Sequence, residues 1–297
     1  MLDVRRLRML REVAARGTIA ATAEALGYTP SAVSQQLIAL EREAGLTLLE
    51  RDGRGVRLTE PAERLVRRTE AVLAELEAAE AELAAGSGEV RGTLTLASFP
   101  TAAATLAPAA MAAFSAQHPR ADVVLSELEP EQALPALKLR EADVAVVHEY
   151  DFSPRIDDAG VELHPLLDDD LLVALPDGHP AARASIDLAA LEGERWVAGY
   201  LDTACHRVVV TTCRAAGYEP RIAARTNDFR VALALVAAGQ GVALVPRLAL
   251  EGAPRGVVIA PVAGRPLRRR IHAATRAGGS AHPGAAALVE ALREAAG

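Results

Sequence analysis

Apolar residues recur mainly at helical spacing through the first 85 or so positions and, beyond them, in short strand-like runs that alternate with helices. In 3–16, Val4, Leu7, Leu10 and Ala14 fall on one side and predict an amphipathic helix. Gly17 and Thr18 stop it and start a second, alanine-rich helix over about 19–26, which Gly27 ends. Thr29 followed by Pro30 is an N-cap with proline at the first helical position, so a third helix begins there. It buries Val33, Leu37, Leu40 and Ala44 and turns Ser31, Gln35, Ile38 and Arg42 outward, with Ser34 to one side. Two short helices joined by a tight glycine-containing turn are the helix-turn-helix pattern.

Residues 61–85 contain no glycine and no internal proline. Leu65, Thr69, Val72, Leu76, Ala79 and Leu83 alternate spacings of four and three, which is the seam of a coiled coil. A helix lying on its own domain would show a broader apolar stripe, so this narrow seam predicts a partner helix. The stretch GSGEVRG (86–92) then predicts a hinge. Further on, TLTLAS, DVVLSE, DVAVV, LLVAL, RIAAR and GVALV read as strands, with alanine-rich helices near 102–117 and 229–239. That alternation predicts a largely parallel sheet with helices on its faces.

Composition narrows the classes. A chain of 297 residues, 51% apolar and 24% charged, is long enough for two or three compact units and has an ordinary globular balance. No run approaches the roughly 20 apolar residues of a membrane span. The start, MLDVRRLRML, lacks the uninterrupted apolar core of a signal peptide, so the expectation is a cytoplasmic protein with no membrane partner. A formal net charge of −7 argues against general affinity for nucleic acid, but its distribution is uneven. Residues 1–59 carry nine arginines against seven acids, a net of +2, whereas 60–89 carry three against eight, a net of −5. Only the first sixty residues suit a phosphate-facing role.

A helix that reads the major groove presents amides and hydroxyls near its N-terminal end, where base edges are met. Gln35 suits the N6 and N7 edge of adenine, and Ser31 or Ser34 suits either base type. Thr29, Gln36, Ile38 and Arg42 complete the candidate reading set. The stretch LLERDGRGVRLTE places Arg51, Arg54 and Arg57 around a glycine-rich turn between apolar runs, the pattern of a β-hairpin wing that neutralises phosphates. The same pattern also fits a small three-helix packing module whose polar residues merely face water.

The stretch ATAEALGYTPSAVSQQLIALEREAGLTLLERDGRGVRLTEPA resembles the DNA-binding domain of the LysR-type transcriptional regulators. It departs from the usual pattern at Leu49, where the family has phenylalanine, and at Pro61 and Ala62, where it has an Ala-Gly pair. Downstream, HP (118–119), ADVAVV (142–147), PLLDDDLLVALPDGHP (165–180) and ALVAAGQGVALVP (234–246) are similar in kind and order to the effector domain of that family. The resemblance implies an N-terminal all-α winged helix-turn-helix over 1–59 and a coiled-coil linker helix with hinge over 60–91. It implies a C-terminal α/β two-lobed domain, like a periplasmic binding protein, over 92–297. Lobe one would take about 92–165 and 269–297, and lobe two about 166–268. It further implies a homodimer or homotetramer formed through 61–85 that reads double-stranded DNA at an interrupted palindrome. A small-molecule effector in the cleft and RNA polymerase are the other partners it implies.

Ligands of open α/β sheets bind beyond the carboxyl ends of strands, near helix N-termini. ASFPT places Ser98 and Thr101 at such an end, VVHEY places His148 at another, and RTND offers Thr226 and Asn227 as helix caps with Phe229 as an apolar wall. Glu129 at one turn and Thr203 at a helix entry are further candidates; plain capping is the competing role for each hydroxyl and amide. The expected ligand is a small organic acid or amino acid. Cys205 and Cys213 raise the alternative of a thiol-based redox-sensing regulator. Were 205–213 helical, however, the sulfurs would lie roughly 12 Å apart along the axis, too far for a disulfide without melting the helix. No P-loop, nucleophile elbow, zinc spacing or dinucleotide fingerprint is present, so neither an enzyme nor a cofactor is expected. A solute-binding protein would share the C-terminal fold but would not carry the first sixty residues.

Overall fold

The structure, a computed structural model, describes residues 1–297 except 54, 87–89, 152–154 and 265 and the side chain of Arg51. Arg54 of the expected wing and the middle of the expected hinge thus lie outside the described residues. Close contacts divide the chain into two units. The first holds residues 1–88 with 158–162 and 276–282; the second holds 89–157, 163–275 and 283–297.

In the first unit, α1 (Val4–Arg16) starts where the Asp3 carboxylate accepts from the N–H groups of Arg5 and Arg6. Helix α2 (Ile19–Leu26) is capped by Thr18, and α3 (Pro30–Ala44) by Thr29, whose hydroxyl accepts from the Ala32 N–H at 3.2 Å. The turn into α3 needs Gly27 at φ 69°, a left-handed conformation that a side chain disfavours. Leu7, Leu10, Val13, Ala23, Val33, Leu37 and Leu40 pack into one core. Contrary to the single-stripe expectation, Ala14 is exposed while Met9 and Val13 are buried. The reason is that α1 packs against α2, α3 and α4 at once, which needs a wider apolar face. Strands β1 (Leu49–Asp52) and β2 (Gly55–Leu58) form the antiparallel hairpin. Glu41 anchors it to α3 by accepting from the N–H groups of Leu48 and Leu49 at 2.8 and 3.2 Å.

Helix α4 (Glu60–Ala85) follows, capped by Thr59. Its buried side carries Ala62, Thr69, Glu70, Glu77 and Ala81. The Glu77 carboxylate accepts from Arg276 Nε at 2.9 Å. Thr69 therefore leaves the expected seam for the covered side, but Val72, Leu76 and Leu83 remain 42%, 44% and 80% exposed.

The second unit is built on one nine-stranded sheet among the described residues. In lobe one, β3 (Gly92–Ser98) runs parallel to β4 (Ala121–Glu127) and to β5 (Val144–Tyr150). In lobe two, β7 (Arg195–Ala198) runs parallel to β8 (Arg221–Arg225) and to β9 (Val242–Pro246). Two longer strands join these sets: β6 (Val161–Pro176) lies antiparallel to β9, and β11 (Leu267–Arg276) antiparallel to β5. β10 (Val257–Pro261) also pairs with β6 antiparallel. The expected parallel order thus holds within each lobe, while the strands that pass between lobes run against it. Helices α5 (Pro100–Gln117), α6 (Pro130–Lys138), α7 (Ala204–Ala215), α8 (Phe229–Ala237) and α9 (Pro283–Ala296) complete the unit.

At the joint between lobes, Arg269 on β11 meets Asp169 on β6, Nη2 and Nε lying 2.7 and 2.9 Å from Oδ2. Both side chains are fully buried, and Asp169 Oδ1 also accepts from the Leu248 N–H at 3.2 Å. A buried charge left alone cannot recover its hydration. Asp169→Ala should therefore destabilise the protein by about 3–5 kcal/mol. Calorimetric melting or urea unfolding measures this, and a variant that melts with the parent would show the pair to be dispensable.

Candidate functional site

On α3 the side chains of Ser31, Gln35, Gln36, Ile38 and Arg42 are exposed and Ser34 is half-buried. They do not stand equally free. Gln36 Oε1 accepts from Arg6 Nε at 2.9 Å, and Arg6 pairs in turn with Glu43, so this amide is tied to α1. The Thr29 hydroxyl is engaged as the helix cap and lies 3.0 Å from Ser31 Oγ. Gln35 makes no hydrogen bond among the described residues and projects from the second turn. The first turn of α3 holds no acid, which leaves its positive dipole end uncompensated. In the wing, Arg57 pairs with Glu50 at 2.5 Å across the hairpin, so part of its charge is already neutralised. Tyr28, just ahead of the cap, is an exposed aromatic that the helical pattern does not single out.

The second unit holds a cleft of about 680 Å³ between its lobes. One wall is the start of α5 (Pro100, Thr101, Ala104 and Thr105), Glu127 at the end of β4, and Glu129 and Gln132 at the start of α6. The other is Tyr200, the run from Thr226 to Arg230, and a turn that includes Leu248 and Glu251. Of the expected residues, Thr101, Glu129, Thr226, Asn227 and Phe229 are brought together here.

Ser98, His148 and Thr203 are not. Ser98 has no exposed surface and its hydroxyl donates to the Phe99 carbonyl at 3.3 Å, because the end of β3 still faces the core and the cleft begins with α5. His148 is buried behind the wall, edge-on to Phe99 and Tyr150 at 4.7 and 5.0 Å between ring centres. Burial lowers its pKa below the usual imidazole value, against the opposing pull of Glu129. Thr203 is occupied as the cap of α7: its hydroxyl accepts from the His206 N–H at 3.3 Å and donates to the Tyr200 carbonyl at 2.7 Å. The expected cap roles at α8 are also reassigned. Asp228 caps the helix by accepting from the Arg230 N–H at 2.8 Å. Thr226 accepts from the Asp228 N–H at 3.0 Å, and Asn227 Oδ1 from the Tyr200 N–H at 3.2 Å.

The sequence reading missed Tyr200, Glu127, Arg230 and Glu251. Tyr200 follows β7, whose four residues are too short a run to stand out; the acids lie at ends of elements, where the strand-end rule favours hydroxyls and amides. Together Glu127, Glu129, Asp228 and Glu251 face a single arginine, Arg230, so the cleft is acidic. Both cysteines are buried in α7. Burial pushes each thiol up to about 11, and Cys205 lies 3.2 Å from the Tyr150 hydroxyl.

Two family models match the chain: "Bacterial regulatory helix-turn-helix protein, lysR family" over residues 4–63 and "LysR substrate binding domain" over residues 87–297. Among curated relatives, the transcriptional dual regulator GltC of Bacillus subtilis (strain 168) is 26% identical over 269 residues, spanning 88% of this chain and 86% of GltC. Among solved structures, a hydrogen-peroxide-bound cysteine mutant of Corynebacterium glutamicum OxyR is 25% identical with a TM-score of 0.60, covering 100% of this chain and 94% of that one. Full-length CbnR in complex with its target DNA is 26% identical with a TM-score of 0.55, covering all of both chains. GltC and CbnR are both regulators of transcription. Among the described residues no helix is long and apolar enough to cross a membrane. A reading helix with a wing at one end of the chain and a two-lobed cleft over the rest therefore agree with both matches: the chain belongs to the LysR family of bacterial transcription regulators, with a DNA-binding helix-turn-helix domain and an effector-binding domain.

Proposed function

We propose that this regulator reads an interrupted palindrome as a homodimer or dimer of dimers joined through 61–85, with RNA polymerase as a further partner. A small amino acid or organic acid in the cleft would bias the assembly. The observation that carries the DNA side is Gln35: it is exposed and unengaged on the second turn of α3, while Gln36 and Thr29 are held by the protein itself. Ser31, Ser34, Ile38 and Arg42 flank it, and Arg51, Arg54 and Arg57 of the wing serve the phosphates. The exposed row of Val72, Leu76 and Leu83 supports the partner helix, since an isolated helix gains nothing by presenting such a row to water.

On the effector side, Thr101, Glu129, Thr226, Asn227 and Phe229 contact the ligand from both lobes. Four carboxylates against one arginine favour the members of the ligand class that carry an ammonium group, because a bare carboxylate would meet like charge. The effector acts by population shift: it can bias the lobes only by its difference in affinity for their arrangements. The thiols support this over redox sensing. A cysteine with a pKa of about 11 is a thiol at neutral pH and a poor nucleophile, and neither Cys205 nor Cys213 is open to solvent.

Gln35→Ala should cost about 1–3 kcal/mol on the specific operator and little on random DNA. Arg51→Ala should weaken both and reduce the salt slope by about one. Equal losses on both DNAs from the glutamine change would remove α3 as the reading element. Leu76→Asp should dissociate the oligomer in sedimentation and lower operator affinity through lost bivalency; an unchanged sedimentation coefficient would place the interface elsewhere.

In a thermal-shift screen, amino acids should raise the melting temperature and their 2-oxo acid counterparts should not. The paired change Thr101→Ala with Thr226→Ala should abolish the shift while operator affinity without effector holds. Retained stabilisation in that variant would move the pocket. Cys205→Ser with Cys213→Ser should respond as the parent does, and peroxide at neutral pH should leave both thiols reduced. Loss of the parent's response under oxidant alone would promote the redox reading.

A further inference from the structure

Helix α7 starts on the lobe-two side of the cleft, and the first N–H groups of any helix have no partner within it. Thr203 serves one of them: its hydroxyl accepts from the His206 N–H at 3.3 Å, while its carbonyl accepts the first regular helical bond, from the Arg207 N–H at 3.2 Å. The Ala204 N–H donates elsewhere. Its acceptor is Oε1 of Glu131, at 3.0 Å, in the first turn of α6 in lobe one. Arg207 Nη2 approaches the same oxygen at 3.5 Å, while its Nη1 donates to the Asp202 carbonyl at 3.1 Å. Behind this bond a second one joins the lobes: the Tyr150 hydroxyl at the end of β5 lies 3.2 Å from Cys205 Sγ. Glu131 is exposed, whereas Tyr150 and Cys205 are buried, so the two contacts stand one behind the other on a single flank.

The lobe-two side of this junction is closely packed. A Cβ added at Gly199 would come within 2.7 Å of Cys205 Cβ and Thr203 Oγ1 and 2.9 Å of Asn227 Oδ1. The start of α7 is thus seated hard against the end of β7, and whatever binds its terminus is located relative to the whole lobe. A carboxylate is the fitting group there, since it meets both a bare N–H and the positive end of the dipole. Glu131 does not line the cleft, so its carboxylate is a structural element rather than a ligand contact.

We propose that Glu131 is a positioning residue that latches lobe one to the N-terminus of α7 and thereby sets the closed arrangement of the lobes, with Tyr150 and Cys205 as the inner seal. This assignment does not depend on which effector the cleft takes. It also accounts for the inertness of a thiol placed where it would otherwise be activated. Cys205 occupies the second position of α7, and a helix N-terminus ordinarily lowers a thiol pKa. Here burial and the neighbouring carboxylates of Glu129 and Glu131 raise it, Tyr150 and Arg269 opposing them.

The two cysteines of one helix give the test its internal control. The full-length protein is alkylated with iodoacetamide near neutral pH, each cysteine is followed by peptide mass, and amide hydrogen exchange is read over 130–138 and 204–208. Glu131→Ala should speed labelling of Cys205 about tenfold while Cys213, buried further along α7, keeps the parent rate. Exchange should rise at both helix starts. Glu131→Gln, which keeps an acceptor for the Ala204 N–H, should fall between the two. An unchanged Cys205 rate in Glu131→Ala would overturn the latch. So would equal acceleration of both cysteines, which reports general loosening, and so would faster labelling without faster exchange in 130–138, which reports only the removal of a charge beside the thiol.

Discussion

The buried pair of Arg269 and Asp169 sits where the two longest strands pass from one lobe to the other, and the geometry of the cleft hangs on it. The Arg269 guanidinium lies 5.0 Å over the ring of Phe99, the residue that precedes α5. Asp169 holds the backbone of Leu248, which lines the opposite side. One ion pair thus reaches both walls. Replacing it by apolar residues of similar volume need not cost stability, but it would remove the directional link between the start of α5 and the turn around Leu248. The pair is therefore better understood as fixing an arrangement than as supplying net stability.

Around that joint the same physical device recurs: a helix N-terminus met by a carboxylate of the chain itself. Asp228 serves α8, and Glu131 serves α7 from the other lobe. Helix α5 is the contrast, since its cap residue Phe99 offers no side-chain acceptor and Pro100 has no N–H to satisfy. Of the helix starts bordering the cleft, α5 and α6 lack a side-chain cap, and Glu129 at the head of α6 accepts from none of that helix's N–H groups through its side chain. The cleft thereby offers an acidic group beside bare N–H groups, which is the pairing that an ammonium and a carboxylate on one small molecule would satisfy together.

The elements most legible in the sequence were those whose signals are local. Thr18 and Thr29 each cap the helix that follows, and Gly17 and Gly27 each end one, because capping depends on a few adjacent residues. What could not be read depends on distant partners. LHPLLDDDLL hides the long strand β6, since three acids in a row look like a loop until Asp169 is seen paired with a residue one hundred positions on. His148 and Ser98 stand at strand ends, where the pattern points to a ligand; which face each turns to is decided by the neighbouring strands, and both turn inward. Thr69 shows the same for the linker, being at a seam position by spacing and covered in the fold.

An acidic chain that binds DNA poses an apparent conflict, and the charge distribution resolves it. The positive balance is confined to the residues that fold with α3 and the wing, while α4, about 39 Å long at 1.5 Å per residue, carries the acids onward. At about 0.1 M salt, charges more than roughly 10 Å from the phosphates are largely screened, so the net charge of the whole chain has little bearing on the contact itself. The local excess of +2 over residues 1–59 is small all the same, and Arg57 and Arg6 are already paired with Glu50 and Glu43. Counterion release by one such module supplies modest affinity. Useful binding must then come from base contacts at α3 and from joining two modules, which raises affinity without any new contact. On the proposed assembly, the exposed seam on α4 and the weakly basic α3–wing module answer one requirement: joining two modules would add the affinity that one module lacks.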